Sequence, residues 1–141
     1  MTDQQLPVPV PVINPETEPF WEATSAHKLM LPQCTLCRTV IWYPRAMCPD
    51  CGSTTVEWFE ASGLGRIYTY TIIGRGEGPY RSIGAYVLAY VELEEGPRIL
   101  TNIIGCPHES VMVGQSVAVV FQDSREGTAL PRFRPTGANQ T

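Results

Sequence analysis

Four of the five cysteines form two close pairs, Cys34 with Cys37 and Cys48 with Cys51, and ten residues separate the pairs. Two Cys-x2-Cys turns at that spacing present four thiolates tetrahedrally to one soft dication, which points to zinc. An odd number of cysteines does not close into a complete disulfide set. The opening Met1-Thr2-Asp3-Gln4-Gln5 also lacks the basic-then-apolar layout of a secretion signal, so the pairs read as metal ligands before disulfides, in a cytoplasmic protein. Four sulfurs fill the coordination sphere and leave no position for an activated water, so the expected ion is one structural zinc per chain. A four-thiolate iron site, which would colour the protein, and a redox-active dithiol pair stay open. Cys106, alone after Gly105, reads as a small, half-buried hydrophobe.

Other candidates for chemistry are few. His27 and His108 are the only histidines, and neither falls in a nucleophile or metal motif. No serine sits in a nucleophile elbow. The run Gly74-Arg75-Gly76-Glu77-Gly78-Pro79 lacks the Lys-Ser or Lys-Thr and the helix start of a P-loop, and reads as a link between strands whose amides, with Arg75 or Arg81, meet an anionic ligand if they bind anything. In Leu130-Pro131-Arg132-Phe133-Arg134-Pro135 the alternation puts Arg132 and Arg134 on one face, suited to phosphate or carboxylate, and Phe133 on the other; a solvated edge strand with Phe133 in the core is the plainer reading. Ten Lys and Arg against fourteen Asp and Glu leave a net charge of -4 over 141 residues, a field that repels phosphate backbones. No stretch reaches the roughly 20 apolar residues of a membrane span. Neither nucleic acid nor membrane is therefore an expected partner, and binding or scaffolding outranks catalysis by this chain alone.

The elements that must position these residues follow from local chemistry. Proline at nearly every second position over residues 6–15 favours an extended tail, taken as 1–17. Thr17 caps a short helix over 18–27 with Pro19 in its first turn; its Phe20-Trp21 pair either packs on the next module or anchors a partner. Residues 28–60 form a metal-organised ribbon with Leu29 and Leu31 leading in and Val40–Tyr43 as a short strand, because so small a segment has too little apolar material for its own core. Strands are expected at 55–59, 65–73, 83–93, 98–104 and 117–121, with a turn at Glu94-Glu95-Gly96-Pro97 and one or two helical turns within 107–112. The result is a mainly β chain whose second unit, 61–135, suits a five-stranded OB barrel, followed by a tail at 136–141.

Taken in order, several pieces resemble one family: the Phe20-Trp21 helix, the four-cysteine ribbon ending in Cys48-Pro49-Asp50-Cys51-Gly52, the Gly63-x-Gly65-Arg66-Ile67-Tyr68-Thr69-Tyr70 strand, the Val91-Glu92-Leu93 and Ile99-Leu100-Thr101-Asn102 hairpin, and the closing Leu130–Pro135 segment. Residues 18–135 are similar to the acyl-CoA-associated OB-fold proteins with an N-terminal rubredoxin-like zinc ribbon, the domain of unknown function 35 family. The resemblance implies an accessory subunit that docks on a thiolase-fold enzyme of the sterol-carrier or lipid-transfer type, in a heterotetramer, and helps it handle acyl-CoA thioesters. The reactions implied are retro-aldol cleavage of steroid side-chain CoA thioesters, acyl transfer or condensation, with the catalytic groups in the partner. It also implies that Phe20 and Trp21 face the partner and that Arg75, Arg81, Arg132 and Arg134 lie toward CoA. The competing function is a single-stranded nucleic-acid binder, with Tyr68, Tyr70, Tyr80, Tyr86 and Tyr90 stacking bases.

Overall fold

A computed structural model describes residues 6–137, so Met1–Gln5 and most of the expected C-terminal tail lie outside the described residues. Helix α1 spans Glu18–Thr24, shorter than the expected 18–27. The chain leaves it through a tight turn in which the amides of Ala26, His27 and Lys28 return to helix carbonyls and His27 adopts φ 58°. Pro19 occupies the first turn, where a missing N–H costs nothing. Thr17 stands at the N-cap without the expected side-chain cap bond: its hydroxyl donates to the Asn14 carbonyl (3.3 Å) and its amide to Asn14 Oδ1 (3.0 Å), so Asn14 organises the entry.

Strands β1 (Met30–Cys34) and β2 (Val56–Glu60) pair antiparallel, with Leu31 opposite Phe59 and Cys34 opposite Val56. The short strand expected at Val40–Tyr43 is reduced to one bridge between Gln33 and Val40, with the Ile41 amide donating to the Pro32 carbonyl (2.8 Å). Pro32 has no N–H to continue a ladder, and the chain turns away.

The remaining strands are β3 (Leu64–Ile73), β4 (Tyr86–Leu93), β5 (Arg98–Ile103), β6 (Ser116–Asp123) and β7 (Ala129–Pro135). They close a five-stranded barrel in the order β3-β4-β5-β7-β6. Closure depends on two contacts: antiparallel β3 and β6 pairing at Gly65 and Val117, and a parallel bridge between Ile103 and Phe133. At Gly65 a Cβ would come within 2.6 Å of the Glu92 carbonyl, so only glycine lets the strands approach this closely. The hairpin at Glu94–Pro97 forms as expected, with Gly96 at φ 113°. The link at 107–112 contains one 3-10 turn, His108–Ser110.

The strand near 55–59 lies in the ribbon, within the 28–60 expected for it. One expectation needs correction: the fifth barrel strand is Ala129–Pro135, paired with β6 along its length instead of lying at a solvated edge. Its prolines at 131 and 135 disguise it in a propensity reading. The segment expected as a free tail is also tied down in part: Leu6 is buried, and the Pro7 carbonyl accepts from Arg132 Nη2 (2.8 Å).

A single apolar core joins the modules. Phe20 and Trp21 from α1 and Leu29 and Leu31 from the ribbon's base share it with Ile67, Val87, Val91, Ile99, Val117 and Phe133 from the barrel. The ribbon's far end has a separate cluster of only Cys34, Ile41 and Cys48, with Val56 against it. Three buried side chains, two of them cysteines, supply little hydrophobic stabilisation, at about 25 cal/mol per Å² of apolar area removed from water. Among the described residues no helix is long and apolar enough to cross a membrane.

Candidate functional site

The two cysteine turns are built alike. In the first, the Arg38 amide donates to the Cys34 carbonyl (3.0 Å) and the Cys34 amide to the Thr39 carbonyl (2.9 Å); in the second, Gly52 and Cys48 repeat this with Cys48 and Ser53 (2.9 and 2.8 Å). Each turn needs a left-handed residue four places after its first cysteine, Arg38 at φ 69° and Gly52 at φ 79°. The folded loop then aims amides at sulfur. Leu36 and Cys37 donate to Cys34 Sγ (3.4 Å each), and Asp50 donates to Cys48 Sγ (3.4 Å).

All four Sγ atoms lie within 4.8 Å of one another, and Cys34 to Cys51 and Cys37 to Cys48 are each 3.6 Å apart. The cysteines are free thiols, at separations well beyond the ~2.05 Å of an S–S bond. A tetrahedron with Zn–S bonds of about 2.3 Å has S···S edges of about 3.8 Å, so the cage matches zinc closely. Cys34 and Cys48 are buried and Cys37 and Cys51 exposed, so the cage has an inner and an outer side.

The thiol electrostatics suit a dication. The Cys37 amide, with those of Leu36 and the neighbouring thiols, overcomes desolvation and lowers the Cys34 thiol from 9.0 to about 6. Bonds with Thr39, first to its hydroxyl and then to its amide, also lower Cys37. At Cys51 the Ser53 amide pulls downward, but desolvation and the three nearby thiols outweigh it, and the group is pushed up to about 12. Four anions cannot occupy so small a volume without a cation, so the last proton leaves when the metal enters. Thr39 forms an outer layer: its hydroxyl accepts from Cys37 Sγ (3.2 Å) and donates to Asp50 Oδ2 (2.9 Å).

The aromatic pair of α1 lies inside the molecule. Phe20 is 1% and Trp21 7% exposed. Phe20 meets Trp21, Trp42 and Tyr43 edge-on at 4.9, 5.4 and 6.3 Å, and Trp21 Nε1 donates to the Tyr43 hydroxyl (2.9 Å). Their direct work is to fasten helix, ribbon and barrel together. They also form part of a cleft of about 360 Å³ at this seam, opposite Leu100, Leu130 and Arg132.

The four arginines differ in exposure. Arg75 and Arg81 are exposed in the β3–β4 link, on either side of a 3-10 turn at Gly78–Tyr80, and Arg134 is exposed on β7. Arg132 is only 2% exposed and its neighbour Phe133 is fully buried in the core, so burial does not alternate along β7. Its guanidinium donates to Asn102 Oδ1 (3.1 Å), Gln122 Oε1, the Pro7 carbonyl and the Tyr80 hydroxyl (3.0 Å). Burial lowers its proton affinity, and Tyr80 opposes that shift. Arg132 and Arg134 therefore do not make a solvent-facing pair. Sequence reasoning missed this buried network, whose signal is two amides, Asn102 and Gln122, each following apolar residues in its strand.

Of the proposed base-stacking tyrosines, Tyr80 and Tyr86 pack on each other at 5.2 Å, Tyr68 is exposed with the Arg98 guanidinium 3.8 Å over its ring, and Tyr70 and Tyr90 line one shallow groove across β3 and β4. His27 stacks on Phe121 and pairs with Asp123 (2.8 Å), tying the helix exit to β6 at an exposed position. Cys106 is half-buried.

A four-thiolate ribbon fused through a shared core to an OB barrel defines the class of protein. Residues 21–57 match the ChsH2 rubredoxin-like zinc ribbon domain, and residues 58–122 match the ChsH2 C-terminal OB-fold domain. The chain belongs to the DUF35/ChsH2 family. It is 37% identical over 95 residues to a DUF35 domain-containing scaffold protein of Methanothermobacter thermautotrophicus, covering 67% of this chain and 71% of that one. It is 33% identical over 127 residues to a probable enoyl-CoA hydratase alpha subunit of Thermomonospora curvata; that match covers 90% of this chain but only 40% of the relative's length. Among solved structures it is similar to a chain of the "Ltp2-ChsH2(DUF35) aldolase", at TM-score 0.80 and 32% identity, covering 89% of this chain and 98% of that one.

Proposed function

We propose that this chain is a non-catalytic subunit that docks on a thiolase-fold, lipid-transfer-type enzyme and helps it hold acyl-CoA thioesters. The observation that carries the reading is the likeness, over nearly the whole of both chains, to a component of an Ltp2-ChsH2(DUF35) aldolase. A thioester needs a nucleophile or base and an oxyanion hole at its reacting carbon, and cations and a groove along its nucleotide. The hydroxyl–carboxylate pairs of this chain, Ser62 with Glu94 and Thr39 with Asp50, lie at exposed turns, with Thr39 and Asp50 beside the cysteine cage, so the reaction is assigned to the partner. Its class is retro-aldol cleavage of a CoA thioester, with steroid side chains the first substrates to try, and acyl transfer or condensation next.

Zinc fits the four-sulfur cage. It would be held by Cys34, Cys37, Cys48 and Cys51 and would supply folding energy, with no coordination site left for substrate. In a reducing cytoplasm the thiolates stay available to it. Since Phe20 and Trp21 are spent internally, the helix and ribbon present other groups to the partner, with Tyr43 at 40% and Met47 at 54% exposure the apolar ones beside the seam. Arg75, Arg81 and Arg134 are the exposed cations that would meet CoA phosphates; Arg132 shapes the barrel wall behind them. The assembly is a partner homodimer flanked by two copies of this chain.

Co-expression with a thiolase-like lipid-transfer protein, followed by light scattering on the eluted complex and turnover of a steroid side-chain CoA thioester, tests this. The expected result is co-elution as a heterotetramer with cleavage that needs both chains. Separate elution, with full activity in either chain alone, overturns it.

A further inference from the structure

The cleft at the seam contains a charge that the described chain does not balance. Arg132 is 2% exposed, and none of its four hydrogen-bond partners, Asn102, Gln122, Pro7 and Tyr80, is a carboxylate. The ion pairs among the described residues, His27 with Asp123 and Arg98 with Glu92, lie elsewhere. A guanidinium has five N–H donors; four are used here, and one on Nη1 is unassigned. Buried charges are ordinarily matched by an opposite charge, because withdrawal from water is costly. Two phenols add to the donor character of the cleft. The Tyr43 hydroxyl accepts from Trp21 Nε1 and the Tyr80 hydroxyl from Arg132 Nη2, so each retains its own hydrogen to give. Most of the remaining lining is apolar, with Trp42, Ile99, Leu100 and Leu130 among it. The volume, about 360 Å³, falls at the small end of ligand cavities.

We propose that this cleft binds a small amphipathic carboxylate, its apolar body between Trp42, Leu100 and Leu130 and its carboxylate on the Arg132 side. The charge calls for an anion, the lining calls for a hydrocarbon body, and the size excludes a nucleotide-bearing ligand from lying wholly inside. This site does not depend on the thiolase partner or on the CoA phosphates, so it stands or falls separately from the docking reading.

The test uses the zinc-loaded full chain alone, titrated calorimetrically with octanoate, with octanol as the neutral body and with acetate as the charge lacking a body. Octanoate is expected to bind at least tenfold more tightly than either. Leu100→Glu, at a rim position 53% exposed, is expected to keep the wild-type melting temperature and weaken octanoate at least tenfold by repulsion. Arg132→Gln is expected to abolish the preference for octanoate over octanol; if that variant does not fold, the wild-type ligand comparison and the rim variant decide. Equal affinity for octanoate and octanol, no binding of octanoate, or unchanged octanoate binding in Leu100→Glu overturns the site. No partner is present in the assay, so its failure leaves the docking reading untouched.

Discussion

The ribbon's far end and the barrel solve the same problem by different physics. The barrel closes a sheet on itself, leaves no long open edge and fills its interior with Ile67, Val87, Val91, Ile99, Val117 and Phe133. The ribbon tip has two short strands, a three-residue cluster and a cage of thiols whose electrostatics are unfavourable without a cation. One region gains its order from burying hydrocarbon, the other from satisfying sulfur. Where they meet, Phe20, Trp21, Leu29 and Leu31 belong to the barrel's core, so the ribbon's base should behave as barrel and only its tip as metal site.

Removing the metal is the most forceful way to break that comparison. Chelation, or Cys48→Ser at the buried side of the cage, should take away on the order of 10 kcal/mol from the tip. Hydrogen exchange should then show residues 34–55 losing protection while β4 and β5 keep theirs; simultaneous loss in the barrel would make the two regions one folding unit. The reverse experiment is Phe133→Ala, which empties the barrel at its parallel closure and should cost about 3 to 5 kcal/mol in denaturant unfolding. Zinc stoichiometry should remain one per chain in material that is still folded.

The pH dependence sharpens the contrast, because barrel closure uses no titrating group and the cage does. Cys51, held up to about 12, is still protonated throughout the neutral range and must release its proton to the metal. Cys34, lowered to about 6, is mostly ionised above that pH and competes for protons below it. Zinc affinity must therefore rise with pH, by at least about tenfold per unit between about 6 and 8. The fall steepens near and below pH 6 as Cys34 takes its proton back. Competition against a chelator of known affinity at three pH values measures the slope, and a flat response would show that the thiols bind already deprotonated. The smallest effect belongs to the strap between helix exit and barrel. His27→Ala removes an exposed ion pair with Asp123 and the stack on Phe121, for about 0.2 to 1 kcal/mol, and the ion-pair part fades with added salt.

Much of this was legible from residue order. The spacing of Cys34, Cys37, Cys48 and Cys51 states the cage, and Gly52 even marks the left-handed position its turn requires. The strands at 65–73, 98–104 and 117–121 and the Gly96 hairpin were visible in local propensity. Less visible was Ala129–Pro135, which looks like an edge because of its prolines yet is paired along its length; no local rule states which strand a proline-bearing segment will meet. Arg38 at φ 69° was hidden for a similar reason, since an arginine has little preference of its own for the left-handed region and takes it here from the turn built on Cys34.

What residue order determined by itself was the coordination chemistry, because four thiolates at short fixed separations have few ways to arrange themselves around one ion. What tertiary structure alone decided was the fate of side chains whose role depends on distant neighbours. Phe20 and Trp21 became the shared core instead of an exposed anchor, and Arg132 became a buried charge with no carboxylate among its partners instead of half of a surface pair. Burial is set by what packs from more than a hundred residues away, as the Pro7 carbonyl does on Arg132, and no periodicity within a single strand encodes that contact.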